Sequence, residues 1–168
     1  MTKDMNYMNE KERQKLIDVL FAEKCSCVIR NGNEIRVFHD RGIKDLFRLL
    51  KEEPAFLDGA FIADKAVGKG AAALMILGGV KEVFADVVSR PALALLNDTG
   101  VKTDYVQAVE HIVNRTQTGI CPVEQLCSDC ATAEACLPLI ERFIEHMKLP
   151  GHQYRFLAGY GNGMKSNE

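Results

Sequence analysis

The reading of one stretch decides the fold: Ala60 to Gly100, AFIADKAVGKGAAALMILGGVKEVFADVVSRPALALLNDTG. Ala60 to Ala63 is a short apolar run of strand type. The segment that follows, through Leu77, is rich in Ala, Leu and Met and suits a central helix ending at Gly78-Gly79. Val83 to Val88 is a second strand. Arg90 to Asn97 is a short helix with Pro91 in its first turn, and Gly100 ends it. Strand, helix, strand, helix in this order predicts parallel strands joined by right-handed crossovers, the pattern of an α/β domain.

Upstream, Asn9 and Glu12 have capping-box spacing, and Leu16, Val19 and Leu20 give the following helix an apolar face that runs to about Lys24. Cys25 to Arg30 and Glu34 to Phe38 are β-rich runs around Asn31-Gly32-Asn33, which predicts a hairpin. Ile43, Leu46, Phe47 and Leu50 form the next helical stripe, closed by the acidic pair before Pro54. Downstream the pattern weakens. Residues 101 to 115 fit either a short strand or a helix near Val109 to Val113. Pro122 suits the first turn of a helix, and another helix spans about Thr132 to Lys148. The glycine- and asparagine-rich segment 159–168 is expected to be a disordered tail.

The 168 residues are 47% hydrophobic and 26% charged, which fits a single domain over residues 1–158 with a full core. Its cysteine-rich helical part, about 127–150, reads as a C-terminal extension. With 21 basic against 23 acidic side chains there is no field to hold a nucleic-acid backbone, and no basic stripe alternates with aromatics. The N-terminus lacks an apolar leader and no apolar run is long enough to span a bilayer, so the expectation is a cytoplasmic protein without a membrane or nucleic-acid partner. In a reducing compartment the six cysteines are thiols, metal ligands or reactive groups. A homo-oligomer stays open.

Chemistry concentrates at two strand-to-helix junctions. In a parallel sheet, ligands gather at the carboxyl ends of strands, where helix starts present free N–H groups. Asp64 to Gly70 sits at such a place: Asp64 can cap the helix, while Lys65, Gly68 and Lys69 leave room for a small anion. Solvated lysines around a plain N-cap explain the same residues equally well. A P-loop is excluded, because the upstream glycine and the hydroxyl residue after the lysine are missing. The second junction, Asn114 to Glu124, packs amide, guanidinium, hydroxyl, thiol and carboxylate groups ahead of a helix. Cys121 stands where a helix start and nearby cations favour thiolate, and the alternative is a small cap-region residue. Cys121, Cys127, Cys130 and Cys136 fall close enough in sequence to hold zinc or an iron–sulfur cluster, although their gaps match neither a common zinc finger nor the ferredoxin run. Buried thiols on one helix face are the other reading.

The run from Ile62 to Val88, with Ala-Asp-Lys-Ala-Val-Gly-Lys-Gly-Ala-Ala and Gly-Gly-Val-Lys-Glu-Val-Phe-Ala-Asp-Val-Val, together with the later Asn-Arg-Thr-Gln-Thr-Gly-Ile-Cys-Pro-Val-Glu, resembles a small prokaryotic domain of unknown function placed in the cytidine-deaminase-like superfamily. The resemblance covers about residues 11 to 127. It implies a three-layer α/β/α sandwich with a mixed, about five-stranded sheet. It does not imply deamination. Zinc deaminases need His or Cys with Glu two residues on at the first helix start, and Pro-Cys-x-x-Cys at the second. This chain has Asp64-Lys65-Ala66 and Cys121-Pro122 there.

Three functions follow as expectations. The first is a binding or regulatory domain for a small anionic, nucleotide-like ligand held by Lys65, Gly68, Lys69, Asn114 and Arg115 in a deaminase-like pocket. The second is a thiol-dependent enzyme with Cys121 as nucleophile and Asp64 or Glu124 moving protons. It lacks a histidine base, since His39, His111, His146 and His152 lie in no motif. The third is a zinc or iron–sulfur module on Cys121, Cys127, Cys130 and Cys136.

Overall fold

The computed structural model describes residues 8–40, 43–113 and 119–147. Helix α1 (Glu10–Ala22) starts at a complete capping box, in which the Glu12 N–H donates to the Asn9 side chain at 2.8 Å and the Asn9 N–H donates back to Glu12. Strands β1 (Cys27–Asn31) and β2 (Glu34–Phe38) form the hairpin, turning at Gly32 with φ 60°, which favours a residue without a Cβ. Helix α2 (Lys44–Glu52) and the single turn α3 (Pro54–Leu57) lead into the alternating region: β3 (Phe61–Val67), α4 (Lys69–Gly78), β4 (Glu82–Ser89), α5 (Arg90–Asp98) and β5 (Lys102–Val109). Two helices close the described chain, α6 (Pro122–Leu126) and α7 (Ala133–Met147).

The strands make one mixed sheet in the order β2-β1-β3-β4-β5. β1 runs antiparallel to both β2 and β3, while β3, β4 and β5 are parallel. Alternate residues divide the core. Ile62 of β3 joins the larger cluster with Leu49, Leu74, Met75, Leu96 and Ile140, which come from α2, α4, α5 and α7. Phe61 and Ala63 face the other way and meet Leu16, Ile17 and Leu20 of α1. α4 is the central helix: its residues from Lys69 to Met75 are all buried.

Three boundaries differ from those read in the sequence. β3 does not stop at Ala63, because Asp64, Ala66 and Val67 continue to pair with Ala85, Val87 and Val88 of β4. Asp64 and Lys65 therefore belong to the strand, and the helix starts five residues after Asp64, at Lys69, with Gly68 as its N-cap. Between 101 and 115 the regular element is strand β5, earlier than Val109 to Val113. As a sheet-edge strand it leaves most of its side chains exposed, Tyr105 and Val106 among them, and so carries no strict apolar alternation. The helix after Cys121 has only five residues.

α7 is part of the main core rather than an appendage, since Cys136, Ile140, Phe143 and Ile144 are buried in the larger cluster. The opposite face is secured by Arg13 of α1, itself buried, whose Nε donates to Glu82 at 2.6 Å and whose Nη2 pairs with Asp104. Among the described residues no helix is long and apolar enough to cross a membrane.

Candidate functional site

A cavity of about 390 Å³ opens where the carboxyl half of β3 meets the start of β1 and the first turn of α2. That volume is within the range of small-molecule sites. Asp64 is aligned across the sheet with Cys27 on β1 and Ala85 on β4. Standing two residues from Ile62, it points to the face of the larger core, where its carboxyl group is surrounded by protein yet open to the cavity. Lys24, Cys27, His39, Asp45 and Lys65 share the lining.

Burial pushes the Asp64 carboxyl up to about 7, against the hydrogen bond from the Ala66 N–H and the neighbouring Cys27 thiol, which favour the ionised form. The bond from Ala66 is 3.1 Å long. Burial, and then the charges of Asp64 and Asp45, push the Cys27 thiol well above its ordinary value, so it remains a donor to Asp64. A carboxyl group that exchanges its proton near neutrality can act as donor and acceptor at once, or move a proton.

The helix start that the sequence offered as an anion site is filled by the protein itself. Glu124 of α6, only 3% exposed, accepts the Lys69 N–H at 2.6 Å with one oxygen and the Ile112 N–H at 2.9 Å with the other. Its carboxylate lies so close to Gly68 that a Cβ there would stand 3.1 Å from Oε1. The anion at this helix N-terminus is thus Glu124. The lysine ammonium groups also meet backbone carbonyls. Lys69 Nζ donates to the Cys130 carbonyl at 2.5 Å and the Ser128 carbonyl at 3.2 Å, and Lys65 Nζ donates to the Glu23 carbonyl at the end of α1 at 3.3 Å.

The predicted anion set is corrected accordingly: Lys65, Gly68 and Lys69 do not converge. Lys65 faces the cavity, whereas Gly68 and Lys69 face α6. Asn114 and Arg115 lie outside the described residues. Nor does the structure gather Cys121, Asp64 and Glu124 into one catalytic group. Cys121 is half-buried against the larger core, donates its N–H to the Ile112 carbonyl at 2.8 Å, and does not line the Asp64 cavity.

Of the four cysteines proposed as metal ligands, three meet. Cys127 and Cys136 are buried in one cluster, Cys130 is partly exposed and packed against it, and the three thiols shift one another. Among the described residues, however, no group of three or more His, Cys, Asp or Glu side chains is disposed to hold a metal ion. The four-cysteine metal set of Cys121, Cys127, Cys130 and Cys136 is corrected to a three-thiol contact. The deaminase zinc centre fits no better, since Asp64-Lys65-Ala66 supplies neither its soft ligand nor its glutamate.

Sequence reasoning missed Cys27, His39, Asp45 and Lys24. No local signal marks them, because the pairing of Cys27 with Asp64 comes from an antiparallel register across 37 positions of chain.

Three comparisons with known proteins set this geometry in context. The family model described as TM1506, Domain of unknown function (DUF1893), matches residues 15–157, a span that includes the cysteine-rich stretch. The crystal structure of a DUF1893 family protein (TM1506) from Thermotoga maritima is similar with a TM-score of 0.74, over 82% of this chain and 93% of that one. The sequences are 23% identical, so the likeness is one of fold. No curated protein matches the chain.

Proposed function

The chain belongs to the DUF1893 family of unknown function, and from that premise we propose that it is a binding or regulatory domain for a small, anionic, nucleotide-like ligand, held in the Asp64 cavity without deamination. The observation that carries this reading is Asp64 itself: a deep carboxyl group with a pKa raised to about 7, facing a cavity of about 390 Å³. Such a carboxyl pairs well with a ligand edge that offers a donor beside an acceptor, as an amide or a nucleobase does. Lys24 and Lys65 in the same wall supply the charge for an anionic part. We read the helices on both faces of the mixed sheet as the three-layer, cytidine-deaminase-like arrangement, and six free thiols support a cytosolic setting.

A thermal-shift screen with nucleoside mono- and diphosphates at pH 6 tests the proposal. At least one is expected to raise Tm, with the rise abolished in Asp64→Ala and retained in Cys121→Ala. A panel that leaves Tm unchanged, or a shift that survives Asp64→Ala, overturns the assignment of the cavity. A shift lost only in Cys121→Ala would favour the thiol reading instead.

A further inference from the structure

The contact among Cys127, Cys130 and Cys136 lies apart from the Asp64 cavity, and nothing in the binding proposal uses it. Three features distinguish it from an ordinary packing of small apolar residues. Burial is graded: Cys127 and Cys136 are fully enclosed, while Cys130 at the end of the turn after α6 is partly open to solvent. The three thiols are neighbours: Cys127 and Cys136 sit in the same core cluster with Cys130 packed against it, the Cys130 N–H donates to the Cys127 carbonyl at 3.0 Å, and each thiol is shifted by at least one of the others. A buried cation stands over them: Lys69, 8% exposed, is fixed by the carbonyls of Ser128 and Cys130 and acts on all three sulfurs.

We propose that Cys130 and Cys136 form a dithiol–disulfide couple that exchanges with small-molecule disulfides, Cys130 being the entry thiol and Cys136 the resolving one. The Cys130 thiolate attacks one sulfur of a low-molecular-weight disulfide RSSR, forming a mixed disulfide and releasing RS⁻. The Cys136 thiolate then attacks the Cys130 sulfur, forming the protein disulfide and releasing the second RS⁻. The two protons lost by the protein go to the two leaving thiolates, so the balance is one RSSR reduced to two RSH for one dithiol oxidised.

The geometry assigns the roles. Of these three, Cys130 alone is partly exposed to an incoming disulfide, although burial and then Cys136 raise its thiol. Cys136 has the most favourable surroundings for thiolate, with hydrogen bonds from Cys127 and Cys130 and the Lys69 charge bringing its thiol down to about 7 despite burial. Cys127 is held protonated, its thiol pushed up first by the bond to Cys136 and then by burial, so it serves as donor rather than nucleophile. Cys25 and Cys27, buried just before and at the start of β1, are internal controls.

The test is equilibration of the full chain with oxidised glutathione, followed by alkylation under denaturing conditions and mass spectrometry. Cleavage after Glu124, Asp129 and Glu134 puts Cys127, Cys130 and Cys136 on separate peptides, so the bond can be assigned. The expected result is loss of two of the six alkylatable thiols, with the Cys130 and Cys136 peptides joined. Cys136→Ser is expected to accumulate glutathione on Cys130. Cys130→Ala, a change at a partly exposed position, is expected to retain five free thiols. Six free thiols in the wild-type chain, or a bond mapped to Cys127 and Cys130, overturns the proposal. So does persistence of the protein disulfide in Cys130→Ala.

Discussion

Two carboxyl groups, the buried Glu124 and the half-buried Asp64, lie near the two ends of the short link between β3 and α4, and they are treated in opposite ways. Glu124 receives two backbone N–H groups at the start of α4 and in the loop after β5, and it leaves no room for a ligand. Asp64 receives the Ala66 N–H, forms no salt bridge with any of the described residues, and faces open volume. A carboxylate that satisfies otherwise orphaned donors at a helix N-terminus is structural. One left partly unsatisfied beside a cavity is a site for chemistry or recognition. Which is which follows from what surrounds each group, because the residue types are nearly the same.

Replacing each group separates the two roles, and the largest effect is expected at Glu124. Glu124→Ala strands the Lys69 and Ile112 N–H groups and should cost about 2–4 kcal/mol in urea unfolding, with Glu124→Gln recovering part of the loss by keeping one acceptor. A cost near zero would put Glu124 in the same class as Asp64. The second effect is a pH dependence. Because the Asp64 carboxyl is raised to about 7 in the folded chain, the native state holds this proton more tightly than the unfolded state. Its contribution to stability is present below the unfolded value of about 4 and is lost as pH rises through about 7. The unfolding free energy of Asp64→Asn relative to wild type should therefore grow from pH 4 to pH 7 and level off above pH 8. A difference independent of pH would remove the perturbed carboxyl. The smallest effect is expected at Lys65, whose ammonium meets a single carbonyl: Lys65→Ala should change stability by no more than about 0.5 kcal/mol while reducing the ligand-induced Tm shift.

Legibility in the sequence followed the range of the interactions. The capping box at Asn9 and Glu12, the hairpin turn at Gly32 and the glycine stop at the end of α4 are decided by residues within a few positions, and all were readable. The end of β3 was not, because Asp64, Ala66 and Val67 are held in the strand by β4, whereas a local reading sees only a polar break before an alanine-rich helix. The site suffered in the same way. Gly68 and Lys69 have the composition of an anion-binding turn, and only the fold reveals that the anion is a glutamate 55 residues later. Cys127, Cys130 and Cys136 were visible as a group. Whether they bind metal or contact one another depends on the angle between α6 and α7, which spacing does not encode.

α1 is the only helix, among the described residues, that contributes to the smaller core cluster, and it is fastened by the Arg13 guanidinium to carboxylates on two parallel strands. Each helix of the larger cluster packs against another helix, whereas α1 packs against β1 and β3. Such an element forms its own cooperative unit and can open without dissolving the rest. Its amide protons would exchange through a partial opening well below the free energy of global unfolding, leaving β3, β4 and α4 intact. The ionic part of the fastening would make that opening easier as ionic strength rises.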